Sequence, residues 1–128
     1  MDADEVQVAL KGIAKSAHSQ KREHCGFIGY GNGDDWHVFP MRNVTTEGGD
    51  RYEIDHTEQA ELFQSLQTSG VRLWGVYHTH IESPHPSPTD THHWSYPPQL
   101  RMVIATPDAV SSYVYLSEEG LVIQPWPR

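Results

Sequence analysis

Val71-Arg-Leu-Trp-Gly-Val-Tyr-His-Thr-His80 is the stretch on which the reading of this chain turns. Residues Val71 to Thr79 are predicted as a strong strand ending in His78-Thr-His80, and period-two alternation points both imidazoles to one face. Upstream, Val6, Leu10 (with Ala9), Ile13 and Ala17 lie on one helical stripe over residues 4 to 18, with Asp2 and Asp4 at the positive end of the macrodipole. Gly26-Phe-Ile-Gly-Tyr30 reads as a buried strand, Gly31-Asn-Gly-Asp-Asp35 as a hairpin turn, and Trp36 to Met41 as its returning partner. The loop Asn43 to Asp50 leads into a short strand, Arg51-Tyr-Glu-Ile54. Asp55-His-Thr-Glu58 matches a capping box for a helix that buries Ala60, Phe63 and Leu66 and stops at Gly70.

Downstream of the histidines comes a Pro-rich loop, Ser83-Pro-His-Pro-Ser-Pro88, with Thr89 or Ser87 placed to cap a short helix through Trp94. Arg101–Thr106, Val110–Leu116 and Leu121–Trp126 read as three more strands, the last two joined at Glu118-Glu-Gly120. Strands dominate this order, and the helices are too few and too unevenly placed for a doubly wound parallel sheet. The expectation is a mixed, curved sheet with helices against it.

Composition narrows the function classes. A chain of 128 residues is the size of one domain, and its 37% hydrophobic content includes no run long enough to span a bilayer. MDADEVQVAL is acidic where a secretory signal is basic, and no apolar segment follows, so a cytoplasmic protein is expected. A net charge of −8 has the wrong sign for gripping phosphate backbones, and neither nucleic acid nor membrane is an expected partner. The single cysteine, Cys25, cannot form an internal disulfide.

Histidine stands apart. Of nine in the chain, His78, His80, His85, His92 and His93 fall within sixteen residues. Clustered imidazoles mean a metal or a solvated loop, and spacing decides. Asp90, ten residues beyond His80 at the start of the predicted short helix, is the candidate third ligand. Two imidazoles and one carboxylate leave a fourth position open, as catalytic rather than structural zinc sites do. His85, His92 and His93 read as rim and helix-surface residues and receive no role. Cys25 as a nucleophile paired with His24 is disfavoured, because neighbours in a strand face opposite ways; a small buried core residue is expected instead. Trp36, Trp74, Trp94 and Trp126 read as core and edge aromatics, with Trp94 and Tyr96 also placed to line a groove beside Asp90.

His78-x-His80, then Ser87-x-x-Asp90, preceded by Glu23 in Glu-His-Cys-Gly26, resembles the JAMM (MPN+, Mov34/PAD-1-like) family of zinc metallopeptidases in its stand-alone prokaryotic form. The likeness covers roughly residues 5 to 116. It takes in Arg42-Asn43-Val44, Tyr52-Glu-Ile-Asp55 and Trp74-Gly-Val-Tyr-His78. Six residues separate His80 from Ser87, one fewer than the family's usual spacing, and Ile81 stands where many prokaryotic members have proline.

The resemblance implies an α+β fold, a curved mixed β-sheet flanked by helices of the cytidine-deaminase-like JAMM/MPN type, with residues 1–128 as a single domain. It implies one Zn²⁺ per chain on His78, His80 and Asp90, Glu23 as general base, and Ser87 as hydrogen-bond donor to the oxyanion. The implied reaction is hydrolysis of a peptide bond after Gly-Gly at the C-terminus of a ubiquitin-like or sulfur-carrier protein, whose extended tail adds as a strand beside the site. A catalytically silent binding module is one alternative. A metal-dependent hydrolase of a non-peptide bond, or a tail-associated peptidase acting on cell-wall peptides, is another. Oligomeric state is not legible at this level.

Overall fold

A computed structural model describes residues 1–46, 51–80, 83–92, 94–97, 99–116, 120–124 and 126. The N-terminal stripe forms α1 (Ala3–Gln20), which begins on a reciprocal cap. Asp2 Oδ1 accepts from the Glu5 N–H at 2.8 Å, and Glu5 Oε1 accepts from the Asp2 N–H at 3.0 Å. Val6, Leu10, Ala14 and Ala17 are its buried residues, while Ile13 is half-buried beside them. The helix ends at Lys21, whose left-handed φ of 55° turns the chain away towards the sheet.

That sheet has six strands among the described residues: β1 (Cys25–Tyr30), β2 (Trp36–Met41), β3 (Arg72–Thr79), β4 (Arg101–Ala105), β5 (Val110–Leu116) and β6 (Gly120–Gln124). Their spatial order is β2-β1-β3-β4-β5-β6. All neighbours are antiparallel except β3 and β4, which run parallel. The β1–β2 hairpin closes through the Gly31 N–H on the Asp35 carbonyl at 2.7 Å, with Gly33 at φ +68° supplying the left-handed turn. Pro40 falls on the outer strand β2, where its missing N–H costs no ladder bond. A parallel pair needs a long connection, and the segment between Thr79 and Arg101 provides it, with α3 (Pro88–His92) inside.

Register sorts the side chains onto two faces. Val6, Leu10 and Ala14 pack on Ile28, Tyr77, Val103 and Ala105 on one of them. There a Cβ on Gly26 would collide with the Phe39 carbonyl oxygen and lie 2.6 Å from the Tyr77 ring, so this glycine makes room for the tyrosine. The other face carries Cys25, Phe27, Ile54, Val76 and Leu100, with Met102, Ile104 and Tyr113 further along. One irregularity interrupts the ladder. Ile28 pairs with Gly75 but Gly29 pairs with Leu73, so Trp74 is an extra residue on β3. The bulge lets Leu73 pack with Val76 on the second face while Trp74 turns to Trp36 and Trp126 on the first.

Several sequence expectations are corrected. Arg51 to Ile54 is not a strand; only a single bridge joins Asn43 to Ile54. The Asn43 side chain takes over the bonds a ladder would use, accepting from the Thr45 N–H (3.1 Å) and Glu53 N–H (3.0 Å) and donating to the Arg51 carbonyl (3.3 Å). At α2 (His56–Leu66) Asp55 caps Thr57 and Glu58, but Glu58 does not reach back: its Oε1 accepts from the Arg42 N–H at 2.6 Å. No residue of α2 is fully buried; Ala60 is exposed, and Phe63 and Leu66 are half-buried. The helix predicted to run through Trp94 stops at His92, and the last strand stops at Gln124. Glu118 and Glu119 lie outside the described residues. Among the described residues no helix is long and apolar enough to cross a membrane.

Candidate metal centre

His78 comes from the last turn of the β3 ladder and is completely buried. His80 lies just past the strand, yet its N–H still donates to the Ala105 carbonyl of β4 at 2.9 Å, so the backbone carrying it remains in the sheet's lattice. The Nε2 atoms of the two rings are 3.0 Å apart. Asp90 Oδ2 lies 3.1 Å from that of His78 and 3.0 Å from that of His80. Asp90 is held by its own helix start: the Ser87 N–H donates to Asp90 Oδ2 at 2.8 Å, and the Asp90 N–H donates to Ser87 Oγ at 3.1 Å. This is a capping box with aspartate in the acidic position.

Glu23 enters from the other side of the sheet's end. The Thr79 N–H donates to the His24 carbonyl at 3.0 Å and the His24 N–H to Thr79 Oγ1 at 2.9 Å, extending the β1–β3 pairing by one step. That step brings the nearly buried Glu23 beside the histidines, with one carboxylate oxygen and the two imidazole nitrogens all within 4.8 Å of one another. The Glu23 carbonyl accepts from Asn43 Nδ2 at 3.0 Å.

The ring supports differ. His80 Nδ1 meets the Ser83 carbonyl at 3.0 Å, which requires a proton on Nδ1 and leaves an unprotonated Nε2 in the neutral ring. His78 lies flat against Tyr52, centroids 4.6 Å apart and planes 19° apart, and its buried Nδ1 has no hydrogen-bond partner among the described residues. Burial lowers the proton affinity of His78, against the pull of Asp90. Burial acts the same way on His80, but there the bond to Asp90, the charges of Asp90 and Glu23 and the Ser83 carbonyl outweigh it and raise the value. Burial would raise Asp90, yet the bonds from both histidines and from Ser87 hold its carboxyl well below the usual carboxylate range.

The chemistry of this donor set fits a divalent cation. Four ligands held tetrahedrally at about 2.0–2.1 Å lie about 3.3 Å from each other, close to the spacing of these three atoms. No thiolate is near in role: Cys25 Sγ faces the Met41 carbonyl at 3.8 Å, and burial, ahead of the Glu23 charge, pushes its thiol up to about 12.

A family model described as prokaryotic homologs of the JAB domain (Prok-JAB) matches residues 5–117. The chain belongs to that family. A desampylase from Haloferax volcanii is 29% identical over 81 residues, which is 62% of this chain and 58% of that protein. The chain therefore spans less than two thirds of that relative. Among solved structures, a protein from Desulfitobacterium hafniense superimposes with a TM-score of 0.73 at 22% identity, covering 96% of this chain and 87% of its own. One from Salinibacter ruber gives 0.65 at 19% identity, covering 100% and 94%. Both share the mixed-sheet α+β fold with this JAB-domain chain.

Of the residues singled out from sequence, the JAB fold brings His78, His80 and Asp90 together and sets Glu23 beside the two histidines and Ser87 at the base of Asp90. Trp94 and Tyr96 pack into the core on this face, Tyr96 edge-on to Phe27 at 6.0 Å. His85 turns to Tyr113; His93 lies outside the described residues. Sequence reasoning gave no role to Tyr52 or Asn43, although both fall in segments of the family resemblance. Tyr113 carried no signal, because its reach to the loop depends on strand register.

Proposed function

We propose that this chain is a zinc metallopeptidase or isopeptidase that cuts after Gly-Gly at the C-terminus of a ubiquitin-like or sulfur-carrier protein. One observation carries the reading: two imidazole nitrogens and a carboxylate oxygen converge at 3.0–3.1 Å, with the Glu23 carboxylate one step further out. Membership of the JAB-domain family and similarity to a desampylase support it.

His78, His80 and Asp90 would hold the metal. When bound, zinc supplies Lewis acidity, which acidifies water and polarises a carbonyl. Glu23 would take the proton from the attacking water at its carboxylate and return it to the departing amine. Its low exposure keeps bulk water from competing for that proton. Ser87 Oγ already accepts from the Asp90 N–H, a bond that uses a lone pair and leaves the O–H proton for a developing oxyanion.

Glu23→Gln should lower turnover of a fusion cut after Gly-Gly by about 10²–10⁴-fold while zinc content, measured by elemental mass spectrometry, stays near one per chain. Asp90→Asn, which keeps an acceptor for the Ser87 cap, should lose the zinc. A wild-type protein loaded with zinc that leaves such fusions intact rules out the substrate. One that takes up no zinc rules out the metal.

A further inference from the structure

We infer that Tyr113 is a positioning residue of the metal centre, clamping the Ser83–Ser87 segment so that the Ser83 carbonyl orients His80. The inference rests on the metal reading above and adds to it a residue from a distant strand. Tyr113 on β5 pairs with Met102 of β4, which pairs with Val76 of β3, so its side chain shares the face that bears His78. The ring is buried against Met102, Ile104 and Trp94. A phenol sunk that deeply needs partners for its hydroxyl. It finds them across the sheet's end: the hydroxyl donates to the Pro84 carbonyl at 2.8 Å and lies 3.1 Å from His85 Nδ1, with the Ser111 side chain a further neighbour. Since the hydroxyl proton goes to Pro84, His85 Nδ1–H is the donor in the second bond.

The clamped segment is short of donors of its own. Pro84, Pro86 and Pro88 carry no N–H, so the backbone cannot tie itself into a turn at those positions. Side-chain bonds do so instead: Tyr113 from the strand, the His85 N–H to Ser83 Oγ at 3.3 Å within the loop, and the Ser87 N–H to Asp90 Oδ2 at 2.8 Å at its end. The residue next to Pro84 is Ser83, whose carbonyl meets His80 Nδ1 at 3.0 Å. Fixing that carbonyl fixes the His80 ring through its Nδ1 contact and holds Nε2 towards Asp90 and His78. Tyr113 thus acts through Pro84, Ser83 and His80 in turn.

Tyr113→Phe removes one hydroxyl and keeps the buried ring. Two readouts apply, neither needing a substrate. Zinc affinity, measured by competition with a chromophoric chelator, should weaken about 10-fold. In the metal-free protein, amide hydrogen exchange at His85 and Ser87, whose N–H groups are tied within the clamped segment, should quicken about 10-fold in the variant. His85→Ala, at an exposed position, should move both readouts the same way by less, and it decides the matter if Tyr113→Phe does not fold. Zinc affinity within twofold of wild type together with unchanged amide exchange at His85 and Ser87 overturns the clamp. A wild type that binds no zinc overturns the metal reading instead, and the amide exchange then judges the clamp alone.

Discussion

The two faces of the sheet are built on opposite terms. On one, α1 lays Val6, Leu10 and Ala14 over Ile28, Tyr77, Val103 and Ala105 and starts on a closed capping box. On the other, α2 has no fully buried residue, its capping box is half-formed, and loop aromatics such as Tyr96 fill in beside it. The second face is also the one that gathers the candidate ligands, His80 among them half-buried. Among the described residues each face gathers eight buried hydrophobic side chains, but α1 supplies three of those on the first face and α2 none of those on the second.

The strongest way to break this comparison is to truncate one apolar residue on each helix. Leu10→Ala should cost about 2–5 kcal/mol in urea unfolding, the range for a fully buried leucine. Phe63→Ala should cost less, about 1–2 kcal/mol, because its half-exposed ring has less apolar area to lose. Equal losses would mean that α2 anchors the fold as firmly as α1 does.

A smaller effect tests how dry the second face is beneath its loops. With the Cys25 thiol pushed up from 9.0 to about 12 by burial, the folded state keeps its proton where the unfolded chain has given it up. Stability from this group is whole below pH 9 and falls through the window up to about 12, by about 1.4 kcal/mol per pH unit. Cys25→Ala should flatten that alkaline slope relative to wild type in denaturant melts. An unchanged slope would show that water reaches the thiol. Smallest of all, Asp2→Ala should destabilise by about 1 kcal/mol through loss of the α1 cap, read in the same melts.

Much of this was legible in the chain. The stripe of α1, the β1–β2 hairpin and the strand delivering His78 follow from local periodicity, and period two alone places His78 and His80 on one side. Ser87 was legible as one candidate helix cap and Asp90 as an acidic residue at that helix's start, but not that each bonds the other. What escaped were choices made across long separations. Asn43 diverts the bonds that would have made Arg51 to Ile54 a strand, and Glu58 leaves its own helix for Arg42. Both are competitions between a local partner and one brought close only by folding, and local pattern cannot rank them. Tyr52 against His78 and Tyr113 over Pro84 belong to the same class.

The extra residue at Trp74 has a consequence for how the strand keeps count. Parity is reset there, so the half of β3 that carries His78 is numbered from its pairing with Cys25, independently of the half that begins at Arg72. A one-residue deletion in an unbroken strand would send every later side chain to the wrong side. Removing Trp74 instead would return the ladder to even spacing and leave Tyr77 opposite Gly26 and His78 opposite Cys25. The bulge absorbs a miscount before it can reach the histidines.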